Sequence, residues 1–318
     1  MASDIPSQPP HLASNPFLDL SGIDTTAFAN PYDALLEASQ NDSRNLQERY
    51  STHRTTRNAQ QKAKLLAKDF SGVIVDPILQ LLEDGKSVEE GYVDPRHCLV
   101  FWGRPEEHIR TLIGEVQQRL RKAAPSLWLM PKENLHITIL EITHSKTAEE
   151  IELLKQQIAP VAEPVVNYTK APNHRARLIK PMVGFDASAL ALSFVPAAGE
   201  GDDFSYHHLR RDVFDMVTGA GVKVDSRYVV PSAHLTIGRF VTQEDFAKED
   251  GSVDPKKMED LIQTIEDVNA WLQEQYWQDE GDAGAEGGWT VGEGDGVVLR
   301  WGTVWYGGGT TMAQTKHE

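Results

Sequence analysis

The sequence predicts an α+β fold, on three observations. Short apolar strands are mixed with amphipathic helices rather than alternating with them as strict βαβ units. A strand–helix–strand order occurs twice along the body of the chain. Each of the two runs ends in the same pattern, Leu135-His136-Ile137-Thr138-Ile139 and Ala233-His234-Leu235-Thr236-Ile237, with the histidines 98 residues apart. Each pattern is an apolar–His–apolar–Thr–apolar alternation with the period of two that marks a half-buried strand. Its His and Thr share one face, roughly 7 Å apart along the chain, while the apolar residues point into a core.

Residues 1–30 are rich in Pro, Ser, Asn and Asp and read as a flexible arm. Residues 31–93 read as a helical extension. Pro31 suits a first helical position, Tyr32, Leu35 and Leu36 form a weak stripe, and Ser43–Lys64 is very polar, either a solvated helix or part of a linker. The body, 94–306, opens with Cys98–Trp102 as a buried strand. Gly103-Arg104-Pro105 breaks it and starts a helix striped by Ile109, Leu112, Ile113, Val116 and Leu120. Leu127–Met130 reads as a second strand, followed by the first His-x-Thr strand to about Ile142. Thr147 and Glu150 fit a capping box opening the next helix. In the second run, Leu190–Val195 is a strand and Ser205–Thr218 a helix ended by Gly219-Ala220-Gly221. Tyr228–Val230 leads through Pro231 into the second His-x-Thr strand. Asp254-Pro255 opens another helix, 281–296 is a Gly/acid loop, Val297–Tyr306 is a final strand or hairpin, and 307–318 is a tail.

The formal net charge is −16, and residues 241–295 hold 16 acids against 3 bases. Such a surface opposes gripping long nucleic acid, while the near-balanced remainder leaves room for a local positive pocket. Cys98 is the only cysteine, so neither an intrachain disulfide nor a cysteine metal site is expected. No apolar run is long enough for a spanning helix, and the N-terminus lacks the layout of a secretory signal. A cytosolic or nuclear monomer is the expectation.

An imidazole and a hydroxyl presented twice to one surface suit acid–base chemistry on a phosphate. Histidine titrates near neutrality, so a pair supplies a base for water and an acid for the departing oxygen. Hydroxyls donate to non-bridging oxygens where charge is held in the transition state. No metal and no cofactor are needed for these steps. The bland alternatives are that Thr sits on strands through β propensity and that a lone strand histidine is structural. The other histidines, His97, His108, His144, His207 and His208, have no such pairing, and packing or surface roles are expected for them.

The two His-x-Thr strings, at 136–138 and 234–236, resemble the mark of the two-histidine phosphoesterase superfamily. The longer string Leu127–His144 is similar to its fungal RNA ligase/cyclic nucleotide phosphodiesterase-like branch. The resemblance covers roughly residues 95–306 and leaves the first ninety outside. It implies a bilobal fold with two pseudo-symmetric lobes, their antiparallel sheets flanking a central cleft across which the motifs face each other. It implies His136 and His234 as the acid/base pair, without saying which is which, and Thr138 and Thr236 as phosphate ligands. The implied activity is metal-independent hydrolysis of a 2′,3′-cyclic nucleotide, a related cyclic phosphate or a 2′,5′-linked RNA end. A non-catalytic AMP-binding or scaffolding module, and a 2′,5′-ligase-like or RNA 3′-end-processing enzyme, are the alternatives. A small nucleotide or the end of an RNA suits the acidic chain better than long RNA. Candidate substrate contacts are Arg239, Trp102, Tyr228 and Lys180, with Trp301 and Trp305 as further stacking rings and Lys170, His174, Arg175 and Arg177 as further cations.

Overall fold

Two antiparallel sheets carry the molecule. The computed structural model describes residues 22–225, 229–277 and 286–316. The first sheet joins β1 (His97–Gly103), β3 (Ile137–Lys146), β8 (Val297–Gly302) and β9 (Thr310–Gln314) in the order β3-β1-β8-β9. The second joins β2 (Trp128–Leu129), β4 (Ala176–Phe185), β5 (Ala189–Pro196), β6 (Ala233–Arg239) and β7 (Trp289–Val291) in the order β2-β6-β5-β4-β7. The α+β class is therefore as the sequence predicts, and the arrangement is bilobal. The lobes are not simple chain halves. The early strand β2 edges the second sheet, and the late strands β8 and β9 complete the first.

Helices α5 (Glu107–Leu120), α6 (Ala148–Val166), α7 (Tyr206–Gly219) and α8 (Pro255–Tyr276) cover the sheets. Their apolar stripes enter one continuous core: Ile109, Leu112, Ile113, Val116 and Leu120 on α5, and Met258, Leu261, Ile262, Ile265, Val268 and Leu272 on α8, are all buried. The Thr147/Glu150 capping box opens α6. Ser205 caps α7 by accepting from the amides of His207 and His208.

The extension forms α1 (Asp33–Ala38), α2 (Ser43–Leu65), α3 (Pro77–Glu83) and α4 (Gly85–Glu89). Asp42 caps α2, its carboxylate accepting from the Asn45 amide. The inward face of α2 carries Leu46, Tyr50, His53, Arg54 and Leu65, all buried, so a helix that looks solvated by composition is docked. It lies along the second sheet: Gln47 Nε2 donates to the Pro196 carbonyl and Asn58 Nδ2 to that of Val183.

Three expectations are corrected. The segment 307–318, read as a tail, contains β9, whose Thr310–Gln314 pair with β8. The basic run 170–180, whose composition suggests a solvated loop, supplies from Ala176 onward the start of β4, a central strand paired with both β5 and β7. Part of the Gly/acid loop is β7, with Trp289 and Val291 buried. Residues 1–21, most of the expected arm, lie outside the described residues.

Candidate active site

The alternation read from the two motifs is the burial pattern found. His136, Thr138, His234 and Thr236 are half-buried, while Leu135, Ile137, Ile139, Ala233, Leu235 and Ile237 are buried. The first motif strand begins at Ile137, with His136 one residue ahead of it. All four polar side chains line one cavity of about 120 Å³, together with Cys98, Val100, Trp102, Glu141, Arg239, Val304 and Trp305.

The sheet geometry explains this membership. On β1, Cys98, Val100 and Trp102 alternate toward the cavity, while Leu99 and Phe101 face the core. Trp102 pairs with Thr138, and Val100 with Glu141. Two residues lie between Thr138 and Glu141, where one lies between their partners Trp102 and Val100. The extra residue is a bulge, which brings Glu141 onto the face of Thr138. On the opposite sheet, Ser193 and Ala191 of β5 pair with His234 and Thr236.

His136 is held from three sides. Its Nδ1 lies 2.7 Å from the Asn134 carbonyl oxygen. A carbonyl only accepts, so Nδ1 carries a proton and the neutral ring keeps its lone pair on Nε2. The Trp102 indole stacks on the imidazole, with centroids 3.7 Å apart and planes at 18°. Arg104 and Arg300 also lie near the indole, their guanidinium carbons 5.1 and 5.8 Å from the ring centroid. Arg104 also donates to the carbonyl of Leu135, the residue before His136. Burial, and then the neighbouring Arg104, His234 and Arg300, pull the His136 imidazole down to about 3, against the opposing pull of the Asn134 carbonyl. The loop after β8 supports the same turn. Gly307 has φ +81°, and a Cβ there would lie 2.6 Å from the Asn134 carbonyl oxygen, so only glycine fits.

His234 has a different partner, Ser232 Oγ, at 2.8 Å from Nδ1. A hydroxyl both donates and accepts, so this contact serves either protonation state. Burial, and then the neighbouring Arg57, Arg210 and His53, pull His234 down to about 4, against the opposing pull of Asp186.

Arg210 of α7 carries no sequence signal, yet it ties the two motif strands together. It is fully buried. Its Nε donates to the Ile139 carbonyl, next to Thr138, and its Nη1 to the Val230 carbonyl, in the lead-in to His234. Its Nη2 donates to the Tyr32 hydroxyl of the extension. Nothing local in the sequence separates Arg210 from its surface neighbour Arg211.

Of the predicted substrate contacts, Arg239 lines the cavity. Its Nη1 lies 3.6 Å from Asp76 of the extension, and its buried Nε has no partner among the described residues. Trp102 is at the site but is only 2% exposed with a face against His136, so it supports the histidine and is closed to a stacking base. Lys180 lies outside the cavity. At the bulge of β4 between Ile179 and Met182 its φ is +56°, and its Nζ lies 3.5 Å from Gln47 Oε1 of α2. Tyr228 lies outside the described residues. Trp305 lines the cavity, whereas Trp301 sits under Lys155, whose Nζ is 3.7 Å from its ring centroid. Arg177 pairs with Asp202, Arg175 with Glu293, and His174 stacks on Tyr168. These three and Lys170 line none of the cavity.

Among the described residues, no group of three or more His, Cys, Asp or Glu side chains is placed to hold a metal ion. No helix of these residues is long and apolar enough to cross a membrane. His207 and His208 are structural. His207 donates from Nε2 to the Tyr32 carbonyl and meets the Tyr50 hydroxyl at Nδ1, while His208 meets Asn41 Oδ1 at Nε2.

No protein-family model and no curated protein matches the chain. Among solved structures, it is similar to the conserved protein of unknown function ATU0111 from Agrobacterium tumefaciens. The identity is 12%, the TM-score 0.41, and the match covers 67% of this chain and 83% of that one. It is also similar to TT0787 of Thermus thermophilus, at 15% identity and TM-score 0.34, covering 64% of this chain and 87% of that one. Neither likeness carries a functional argument.

Proposed function

We propose that the chain is a phosphodiesterase of the two-histidine kind, opening a 2′,3′-cyclic nucleotide, a related cyclic phosphate or a 2′,5′-linked RNA end. The single observation behind this reading is that His136, Thr138, His234 and Thr236, brought from two sheets, line one cavity. That cavity accepts a phosphate with an imidazole and a hydroxyl from each side.

His136 is the base. Its Nδ1–H is committed to the Asn134 carbonyl, so Nε2 offers a lone pair to an attacking water. His234 is the acid. An entering phosphate anion opposes the desolvation that keeps its imidazole neutral, and the resulting imidazolium donates from Nδ1 to Ser232 Oγ. The Nε2 proton then goes to the departing ribose oxygen as the P–O bond breaks. Thr138 and Thr236 donate to the non-bridging oxygens. The protons balance: one leaves water for His136 and one leaves His234 for the sugar hydroxyl.

The test is turnover of each 2′,3′-cyclic nucleotide in the presence of EDTA. Product should form, and His136→Ala combined with His234→Ala should abolish it. Turnover lost on chelation, or retained by the double variant, refutes the mechanism. Nucleotide binding with no turnover of any cyclic or 2′,5′-linked substrate points instead to a binding module.

A further inference from the structure

A second cavity, of about 190 Å³, adjoins the first and shares His234, Thr236 and Arg239 with it. Its opposite wall is helix α2, which contributes His53, Arg54, Arg57 and Asn58. Positions 46, 50, 53, 54, 57, 58 and 65 recur at helical spacing, so they form one inward stripe. The stripe is apolar at Leu46 and Tyr50, becomes polar and cationic from His53 to Asn58, and is apolar again at Leu65. The polar stretch is the part that lines the cavity.

Arg54 is the unusual member. It is only 6% exposed. Its Nη1 donates to the Lys180 carbonyl at 2.7 Å and reaches the Ser193 carbonyl at 3.4 Å. Its Nε and Nη2 are buried with no hydrogen-bond partner among the described residues. Buried donors on a charged group are rarely left unmatched, and their natural complement is an anion. Desolvation pulls this guanidinium down to about 9, as expected for a charge lacking its counter-ion. Arg57 stands nearby, paired with Asp186 at 2.9 Å, and Arg239 at the junction has its own unpartnered buried Nε. With Arg57 set against Asp186 and Arg239 against Asp76, Arg54 is the guanidinium left without a carboxylate, so this wall is positive in a chain of net charge −16.

We infer that the α2 cavity receives a second phosphate of the substrate, the one on the 5′ side of the nucleoside whose cyclic phosphate lies between the histidines. This rests on the function proposed above and narrows it. The preferred substrate is a cyclic phosphate bearing a further anionic group, either a 5′-phosphate on a mononucleotide or the preceding phosphodiester of an RNA end. The extension thereby becomes a specificity element built onto the catalytic body.

The experiment compares kcat/KM for a 2′,3′-cyclic nucleoside, the same compound with a 5′-phosphate, and a dinucleotide ending in the cyclic phosphate. The wild-type chain should prefer one or both phosphate-bearing substrates by roughly 10–100-fold. Whichever is preferred identifies the source of the second phosphate. Arg54→Gln should bring that ratio close to one, and Arg57→Gln, at the more exposed edge, should lower it part of the way. Lys62→Gln, further along α2, should leave it unchanged. A wild-type ratio near one, or a ratio unaltered in both Arg54→Gln and Arg57→Gln, overturns the inference. If Arg54→Gln fails to fold, Arg57→Gln alone decides. If the wild type opens none of these compounds, the catalytic reading has failed, and calorimetry still decides the second site. A nucleoside 3′,5′-bisphosphate should then bind more tightly than the 3′-monophosphate, and lose that advantage in the arginine variants. Equal binding of the two overturns it.

Discussion

Trp102 and His136 form a stacked pair across the first two strands of the β3-β1 sheet, with centroids 3.7 Å apart. The indole fixes the plane of the imidazole while the Asn134 carbonyl fixes its tautomer. An aromatic pair of this kind contributes about 0.5–1.5 kcal/mol beyond its burial. Trp102→Phe should therefore keep most activity. Trp102→Ala should lower kcat roughly tenfold, with little change in KM, and destabilise the fold by about 3–5 kcal/mol. Steady-state kinetics and denaturant melts check both, and unchanged kcat in the alanine variant would remove the orienting role.

Each histidine should matter by itself. Loss of a general acid or base costs roughly 10²–10⁴ in rate, so His136→Ala and His234→Ala should each fall in that range. Ser232→Ala should cost less, on the order of tenfold, because it removes a partner of the imidazolium and not the imidazole. Single-turnover rates on a 2′,3′-cyclic nucleotide measure all three. Full activity in either histidine variant would exclude that residue from the chemistry.

Arg210 joins the motif strands through the carbonyls of Ile139 and Val230. Arg210→Met leaves both acceptors unmatched in the core, at about 1–3 kcal/mol each. The variant should melt earlier, and under conditions where it is still folded kcat should drop while nucleotide binding persists. Wild-type kcat in the folded variant would reduce Arg210 to a stability element.

Acid should weaken the fold through its buried histidines. His207 is fully buried, and desolvation pulls it from 6.5 to about 3. Its folded form therefore binds no proton between those values while the unfolded chain does. Its contribution is complete above pH 6.5 and is lost as pH falls toward about 3. From about pH 7.5 to about pH 5 this one group predicts a loss of about 2 kcal/mol. Urea melts at the two pH values should show the loss, and His207→Gln should lessen the difference. A pH difference unchanged in that variant would mean that other groups carry it.

The site is legible in the sequence where its signal is local. A period of two in ten letters places His136, Thr138, His234 and Thr236 on their face, because strand geometry allows no other arrangement once the apolar set is buried. What joins them is not legible. Glu141 reaches the cavity only through a bulge, and Cys98, Val100 and Val304 join it from strands and loops whose pairing no local pattern reveals, whereas Arg239 follows its motif on the same strand and is legible. Lys180 falls outside the site because a positive-φ residue at a bulge breaks the alternation that sequence reading relies on. Strand β4 is hidden because Arg177, Lys180 and Pro181 mimic a loop, and β9 because Thr310, Thr311 and Gln314 form a polar edge. Helix α2 reads as solvated because its inward face includes His53 and Arg54, which no apolar stripe reveals.

The central claim is that both imidazoles face one phosphate. Its most direct measurement is an NMR titration of the His136 and His234 ring protons with a nucleoside 3′-monophosphate, repeated across pH. One saturable binding event should perturb both rings together, and the midpoints of both should rise in the complex, as an anion favours each imidazolium. Movement of only one ring, or two events with different affinities, would contradict the account.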